Sequence, residues 1–193
     1  MCLCSCDNFT FNITFGSGNG FPSWETDFDS DSDFGSDFDS YVEELCPTDI
    51  KNLVVEYANK YKEADTEYEY GGQDPLKAIK IDCSGLVIRC YSYALEGTDY
   101  KLIQPDMNTS YLYQTATNPI TEASLEPGDL VFMGDADSDE VNHVGIYTRK
   151  FFNKIYFIDS TSITNPTGVS ERNYDKNNAK IKGYGQMRLK RKI

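Results

Sequence analysis

Eleven of the 31 acidic residues of this 193-residue chain, and none of its 18 lysines and arginines, fall within the first fifty positions. This partition limits where a fold can form. Residues 27–40, Asp-Phe-Asp-Ser-Asp-Ser-Asp-Phe-Gly-Ser-Asp-Phe-Asp-Ser, repeat an acidic-aromatic pattern of low complexity. Such a stretch on its own cannot bury enough apolar surface to offset the entropy of ordering it. The remaining sequence holds 20 acids against 18 bases, so the net charge of −13 belongs mainly to the N-terminal part. We therefore divide the chain into an acidic arm, residues 1–45, and a domain, residues 46–193. The overall charge repels phosphates and argues against nucleic acid as a partner. Arg188-Leu189-Lys190-Arg191-Lys192 is the one cationic run and reads as a solvated tail.

Within the arm, Phe28, Phe34 and Phe38 are spaced so that the rings could anchor on a protein partner while the carboxylates keep the chain solvated. The Asp-x-Asp-x-Asp spacing loosely resembles a calcium loop, but the glycine and terminal glutamate that such a loop needs are out of place. Cys2, Cys4 and Cys6 alternate, and a zinc site built from them would have to recruit Cys46; a reduced, unshared set is the simpler reading. The first residues show neither a basic n-region nor an apolar h-region, so no secretory signal is expected. No run of residues is long and apolar enough to span a membrane.

The domain opens with helical periodicity. Thr48 is placed to cap it, and Ile50, Leu53, Val54, Tyr57 and Tyr61 form a stripe. A second helix is expected over Cys83–Leu95, with Leu86, Val87, Cys90, Tyr91 and Ala94 facing inward and Gly97 marking its end. Strands follow: Asp129–Met133 after Pro127-Gly128, Val144–Arg149 and Lys154–Ser160 as a hairpin, and Gly183–Leu189 last. Helices first and strands afterwards indicate an α+β domain with a mostly antiparallel sheet.

The chemistry concentrates at Asp82-Cys83-Ser84-Gly85-Leu86-Val87. A cysteine at a helix N-terminus meets unpaired backbone N–H groups and a partial positive charge, both of which favour its thiolate. The only histidine of the chain, His143, begins the strand His143-Val144-Gly145-Ile146-Tyr147 and could pair with that thiolate. Taken singly, Cys83 also reads as an inert helix thiol and His143 as a structural histidine. Asp159 taken singly reads as a strand-end residue starting an Asx-turn.

Tyr70-Gly71-Gly72, the Asp82–Val87 segment, Pro127-Gly128-Asp129-Leu130-Val131-Phe132 and His143–Tyr147 occur in the order and approximate spacing of the NlpC-type cell-wall endopeptidases. The chain resembles that family over residues 48–190. The resemblance implies a papain-like fold, a nucleophile helix packed on a mostly antiparallel sheet. It implies Cys83 as nucleophile and His143 as base or ion-pair partner, with Asp159 on the next strand where the family often carries a second histidine. It further implies that Tyr70 supports the oxyanion or the substrate, and that Asp82 and Ser84 help hold a peptide stem. No metal or cofactor is implied. The implied substrate is the γ-D-glutamyl–diamino acid bond of peptidoglycan stem peptides, hydrolysed through a thioester. Without a signal, a phage particle, a holin-type lesion or cytosolic recycling of wall fragments would bring such an enzyme to its substrate. Two alternatives stand beside it: a structural or interaction component with a peptidase-like scaffold, and an acyltransferase or amidase on the same fold.

Overall fold

The computed structural model describes residues 40–76 and 80–193. The acidic-aromatic repeat up to residue 39, with Cys2, Cys4 and Cys6 and the suggested partner-binding role of the arm, lies outside the described residues.

In chain order the described elements are β1 (Tyr41–Leu45), α1 (Thr48–Glu63), β2 (Glu67–Tyr68), β3 (Lys80–Ile81), α2 (Cys83–Leu95), β4 (Tyr100–Leu102), α3 (Thr109–Tyr111), β5 (Thr117–Ile120), β6 (Leu130–Met133), β7 (His143–Phe151), β8 (Lys154–Thr161), β9 (Gly168–Asp175) and β10 (Ile181–Lys192). Strands β1-β10-β6-β7-β8-β9 form one antiparallel sheet, with β4 and β5 also pairing on β10. β2 and β3 form a short parallel pair. The architecture is α+β, as expected.

The core lies between the two long helices and the sheet. Leu86, Val87, Cys90, Tyr91 and Ala94 of α2 share one buried cluster with Ile50, Val54, Ala58 and Tyr61 of α1 and with Val144, Ile146 and Ile158 of the sheet. A smaller cluster on the other side of the sheet joins Val131, Met133, Tyr147, Ile155 and Phe157. The helical stripe of α1 is rotated slightly from the expected one: Ala58 is buried, whereas Leu53 is 41% exposed. Pro47, not Thr48, occupies the N-cap of α1, and no side chain caps it. Pro47 suits that extended backbone position, and the Thr48 hydroxyl donates instead to Glu126.

Two ends of the chain depart from expectation together. Residues 41–45, assigned from the sequence to the arm, form β1, and Arg188–Lys192, read as a solvated tail, form its partner stretch on β10. Opposite charges explain both. Arg188 bonds Glu43, and the Arg191 guanidinium bonds Glu44 at 2.9 Å. Lys190 also donates to the Ile103 carbonyl at 3.3 Å. The basic run is therefore a charge-complementary strand end.

The Pro127-Gly128-Asp129 turn into β6 rests on a buried ion pair. Lys51, on the inward side of α1 and 1% exposed, donates to Asp129 at 3.1 Å and to Glu126 at 2.7 Å. The second Asp129 oxygen accepts from the Glu126 amide at 2.8 Å. Tyr91, buried on α2, donates its hydroxyl to the Gly128 carbonyl at 2.9 Å. The turn is thus fixed to both helices.

Candidate active site

Asp82 builds the start of α2. It occupies the N-cap, and its Oδ1 accepts from the Gly85 amide at 2.6 Å and from the Ser84 hydroxyl at 3.1 Å. Its Oδ2 accepts from the Gly71 amide at 2.9 Å, and its own amide donates to the Gly72 carbonyl at 3.0 Å. One carboxylate thus fastens the Gly71-Gly72 loop to the helix that begins at Cys83. The fit is close: a Cβ at Gly85 would overlap the Gly72 carbonyl oxygen and crowd the Asp82 carboxylate. Gly85→Ala is expected to push the loop off the helix start, with a stability loss on the order of 1–3 kcal/mol typical of overpacking. Thermal unfolding compared with wild type measures it.

Strands β7 and β8 supply the other groups. His143 Nε2 lies 2.6 Å from Asp159 Oδ2, and Asp159 is 3% exposed. With Nε2 engaged by Asp159, Nδ1 is the nitrogen left to serve Cys83, whose thiol is near enough for the imidazole to lower it. Gly145 leaves room for this pairing. A Cβ there would sit 2.7 Å from the Phe157 ring and 3.3 Å from the Asp159 Cβ. Thr109, at the start of α3, approaches Cys83 Sγ to 3.6 Å with its hydroxyl. α3 is itself set by Asn108, whose side chain accepts from the Tyr111 amide at 2.8 Å.

Charge balance at Cys83 follows from these neighbours. Burial alone would push the thiol up, but the hydrogen bond and positive charge of His143, together with the Thr109 hydroxyl, bring it below the ordinary thiol value. Burial would lower His143; the hydrogen bond to Asp159 and the contact with Cys83 outweigh this and raise it to about 10. Both shifts favour a thiolate–imidazolium pair. The two other free cysteines among the described residues are pushed the opposite way by burial, Cys90 well up and Cys46 to about 12.

The structure brings Cys83, His143 and Asp159 together and sets Asp82 and Ser84 beside them. It does not bring in Tyr70, which is 83% exposed at the loop tip. Tyr68 on β2 is the tyrosine that feels this site: burial, then the charges of Cys83 and Asp82, push its hydroxyl up. Tyr68 is the last residue of β2, whereas Tyr70 lies in the turn that follows, a boundary that Tyr68-Glu69-Tyr70 does not mark.

Sequence reading also missed Arg172, on β9. Its guanidinium donates to Asp159 Oδ1 and, at 3.3 Å, to the Asp159 carbonyl. The other Nη reaches the carbonyls of Pro166 and Gly168, the latter at 3.2 Å. Among the described residues no group of three or more His, Cys, Asp and Glu side chains is arranged to hold a metal ion.

A family model described as NlpC/P60 family matches residues 65–182, from the turn before β2 to the first residues of β10. The chain belongs to the NlpC/P60 family. Solved structures agree in fold. A protein similar to lipoprotein, of the NLP/P60 family, from Staphylococcus aureus is 22% identical, with 75% of this chain and 43% of that chain covered and a TM-score of 0.51. NlpC1 from Trichomonas vaginalis is 20% identical over 78% of this chain and 46% of that one, with a TM-score of 0.52. NlpC2 from the same organism is 18% identical over 77% and 48%, with a TM-score of 0.51. This chain thus spans less than half the length of each. A comparison with curated proteins found no match. Among the described residues of this NlpC/P60 chain, no helix is long and apolar enough to cross a membrane.

Proposed function

We propose that this NlpC/P60 chain is a cysteine peptidase that hydrolyses peptidoglycan stem peptides, with Cys83 as nucleophile, His143 as its proton partner and Asp159 orienting the imidazole. The observation that carries the reading is the His143–Asp159 pair, with Nε2 and Oδ2 2.6 Å apart, set beside a Cys83 thiol that the imidazole lowers. A carboxylate at that position fixes the tautomer and the ring plane and stabilises the imidazolium.

The Cys83 thiolate attacks the scissile carbonyl carbon, and the negative charge moves to the carbonyl oxygen. The Gly85 amide is engaged by Asp82, and the Leu86 amide bonds the Asp82 carbonyl at 3.0 Å. The amides of Cys83 and Ser84 precede them at the helix start, where helical bonding supplies no acceptor. They, with the Tyr68 hydroxyl, are suited to receive the oxyanion. Collapse breaks the C–N bond, and the His143 imidazolium gives its proton to the departing amine. Neutral His143 then takes a proton from water as the water attacks the thioester, which releases the acid and returns the proton to the pair. Asp82 and Ser84 border the same helix start and are suited to meet the free amino end of a stem peptide. Family membership supports the γ-D-glutamyl–diamino acid bond as the one cut.

The pH dependence follows from the two shifts. A lowered thiol is ionised above its folded value, and a raised imidazole is protonated below its own. The active ion pair therefore fills the window between them and is lost on the alkaline side as His143 deprotonates near 10. Iodoacetamide should label Cys83 with an acid limb below the ordinary thiol value of about 8.5, and far faster than Cys46 or Cys90. Peptide mapping of the alkylated protein reads this; equal, slow labelling of the three thiols would instead favour a scaffold without an activated nucleophile.

A further inference from the structure

Asp159 is nearly fully buried, and it faces groups on two sides. Oδ2 meets His143, while Oδ1 meets the Arg172 guanidinium. In the β8–β9 register Asp159 stands opposite Ser170 and Arg172 opposite Phe157. Asp159 and Arg172 are therefore diagonal neighbours on one face, a separation that a long side chain spans. The arginine side chain is 11% exposed and does not reach outward into solvent. Its Nη1 also bonds the Asp159 and Ser170 carbonyls, and its Nη2 bonds the carbonyls of Pro166 and Gly168, while the buried Nε has no partner. The guanidinium is thus held by the Asp159 carboxylate and by the backbone that leads from β8 into β9.

We propose that Arg172 is a positioning residue for the reacting pair: by holding Asp159 Oδ1 it turns Oδ2 to His143 and completes a row of alternating charges, Cys83, His143, Asp159 and Arg172. The inference rests on the reading of Cys83 and His143 as the reacting groups. The physical reason is the burial of Asp159. A buried carboxylate is costly unless it is paired and hydrogen-bonded, and one imidazolium satisfies only one of its oxygens. Without Arg172, four charges that sum to zero become three that sum to minus one, around a carboxylate that is 3% exposed. Such a site favours an added proton, and the thiolate is the group in the row that takes it. The carboxylate also becomes free to rotate about its side chain, which loosens the imidazole. Both effects disfavour the Cys83 thiolate. The other titratable groups facing Cys83 are Asp82 at the start of α2, which raises it, and Tyr68 on β2. The Asp159 carboxylate bonds His143 and Arg172, so the effect of Arg172 is separable from theirs.

The fork geometry distinguishes arginine from lysine here. A lysine restores the charge but cannot serve Asp159 and the Pro166 and Gly168 carbonyls together. The test compares wild type, Arg172→Met and Arg172→Lys by the pH dependence of Cys83 alkylation. A second readout is the ring-proton spectrum of His143, unambiguous because the chain has one histidine. In Arg172→Met the acid limb is expected to move up by about one pH unit, which is about a tenfold slower alkylation below the limb. The His143 ring signals should shift with it, and Arg172→Lys should fall between the two. An Arg172→Met profile that superimposes on wild type overturns the proposal. If the methionine variant does not fold, the lysine variant decides: a displaced limb supports positioning, and superposition overturns it. A wild-type limb at the ordinary thiol value would instead refute the thiolate–imidazolium reading itself, so the two failures are distinguishable.

Discussion

Cys83→Ala is expected to abolish hydrolysis of stem peptides while leaving the fold intact. In the proposed mechanism the Cys83 sulfur is the atom that forms the acyl intermediate, and removal of a covalent nucleophile typically costs at least about 10³-fold in rate. The side chain contributes little to stability, because Cys83 sits at the edge of the core cluster and is only partly buried, with its sulfur 3.6 Å from the Thr109 hydroxyl. Unchanged thermal unfolding together with lost turnover is the expected pattern. Incubating the wild type with substrate and quenching in acid should also show a mass adduct on Cys83, which the variant lacks. Full activity in Cys83→Ala would remove the nucleophile from the mechanism.

The largest stability effect is expected away from the site, at Asp129→Ala. Lys51 is fully buried, and Asp129 is its buried partner, both side chains being no more than 2% exposed. Glu126, the other partner, is half exposed and solvated. Removing Asp129 leaves an ammonium in the core with one rim contact, and it also strips the Glu126 amide of its acceptor. Breaking a buried pair in this way costs about 3–5 kcal/mol. For a chain of this size that corresponds to a fall in Tm of about 6–20 °C, at 2–4 °C per kcal/mol. Replacing both partners together, Lys51→Met with Asp129→Leu, should recover much of the loss, because a hydrophobic pair carries no desolvation cost. Differential scanning calorimetry of the single and double variants reads both effects. Equal destabilisation in the two would mean that the shape of the turn, not the charge, sets the cost.

The residues legible in the sequence were those whose signals are local. α2 was placed from its apolar stripe and from Gly97 beyond its end, and the observed helix has the expected bounds, Cys83–Leu95. β6, β7, β8 and β10 were found from apolar stretches bounded by turn signals; β7 and β10 run on past the expected ends where charged residues continue the pairing. β9 was missed because Gly-Val-Ser-Glu-Arg-Asn-Tyr-Asp carries no apolar alternation; its residues are mostly half-buried and polar. Arg172 was lost with it. Lys51 was passed over because a stripe of apolar residues does not reveal a charged residue neutralised by a turn far along the chain. The same limit applies to Glu43, Glu44, Arg188 and Arg191. Each run looked solvated when read alone, and the two become a strand pair only when the chain brings their charges together. At the site, Cys83 and His143 carried family motifs, whereas Tyr70 was chosen over Tyr68 because the sequence does not state that the strand stops at Tyr68 and leaves Tyr70 in the exposed turn beyond it.

The most direct measurement is mass analysis of the products formed from a defined stem peptide with a free amino end, L-Ala–γ-D-Glu–diamino acid–D-Ala. The expected result is two fragments, L-Ala–γ-D-Glu and diamino acid–D-Ala, that together weigh one water more than the substrate, formed by wild type and absent with Cys83→Ala. Uncleaved peptide in the presence of wild type whose Cys83 alkylates rapidly would contradict the assignment of the substrate. Fragments whose acyl part ends on an amine or alcohol in place of water would contradict hydrolysis.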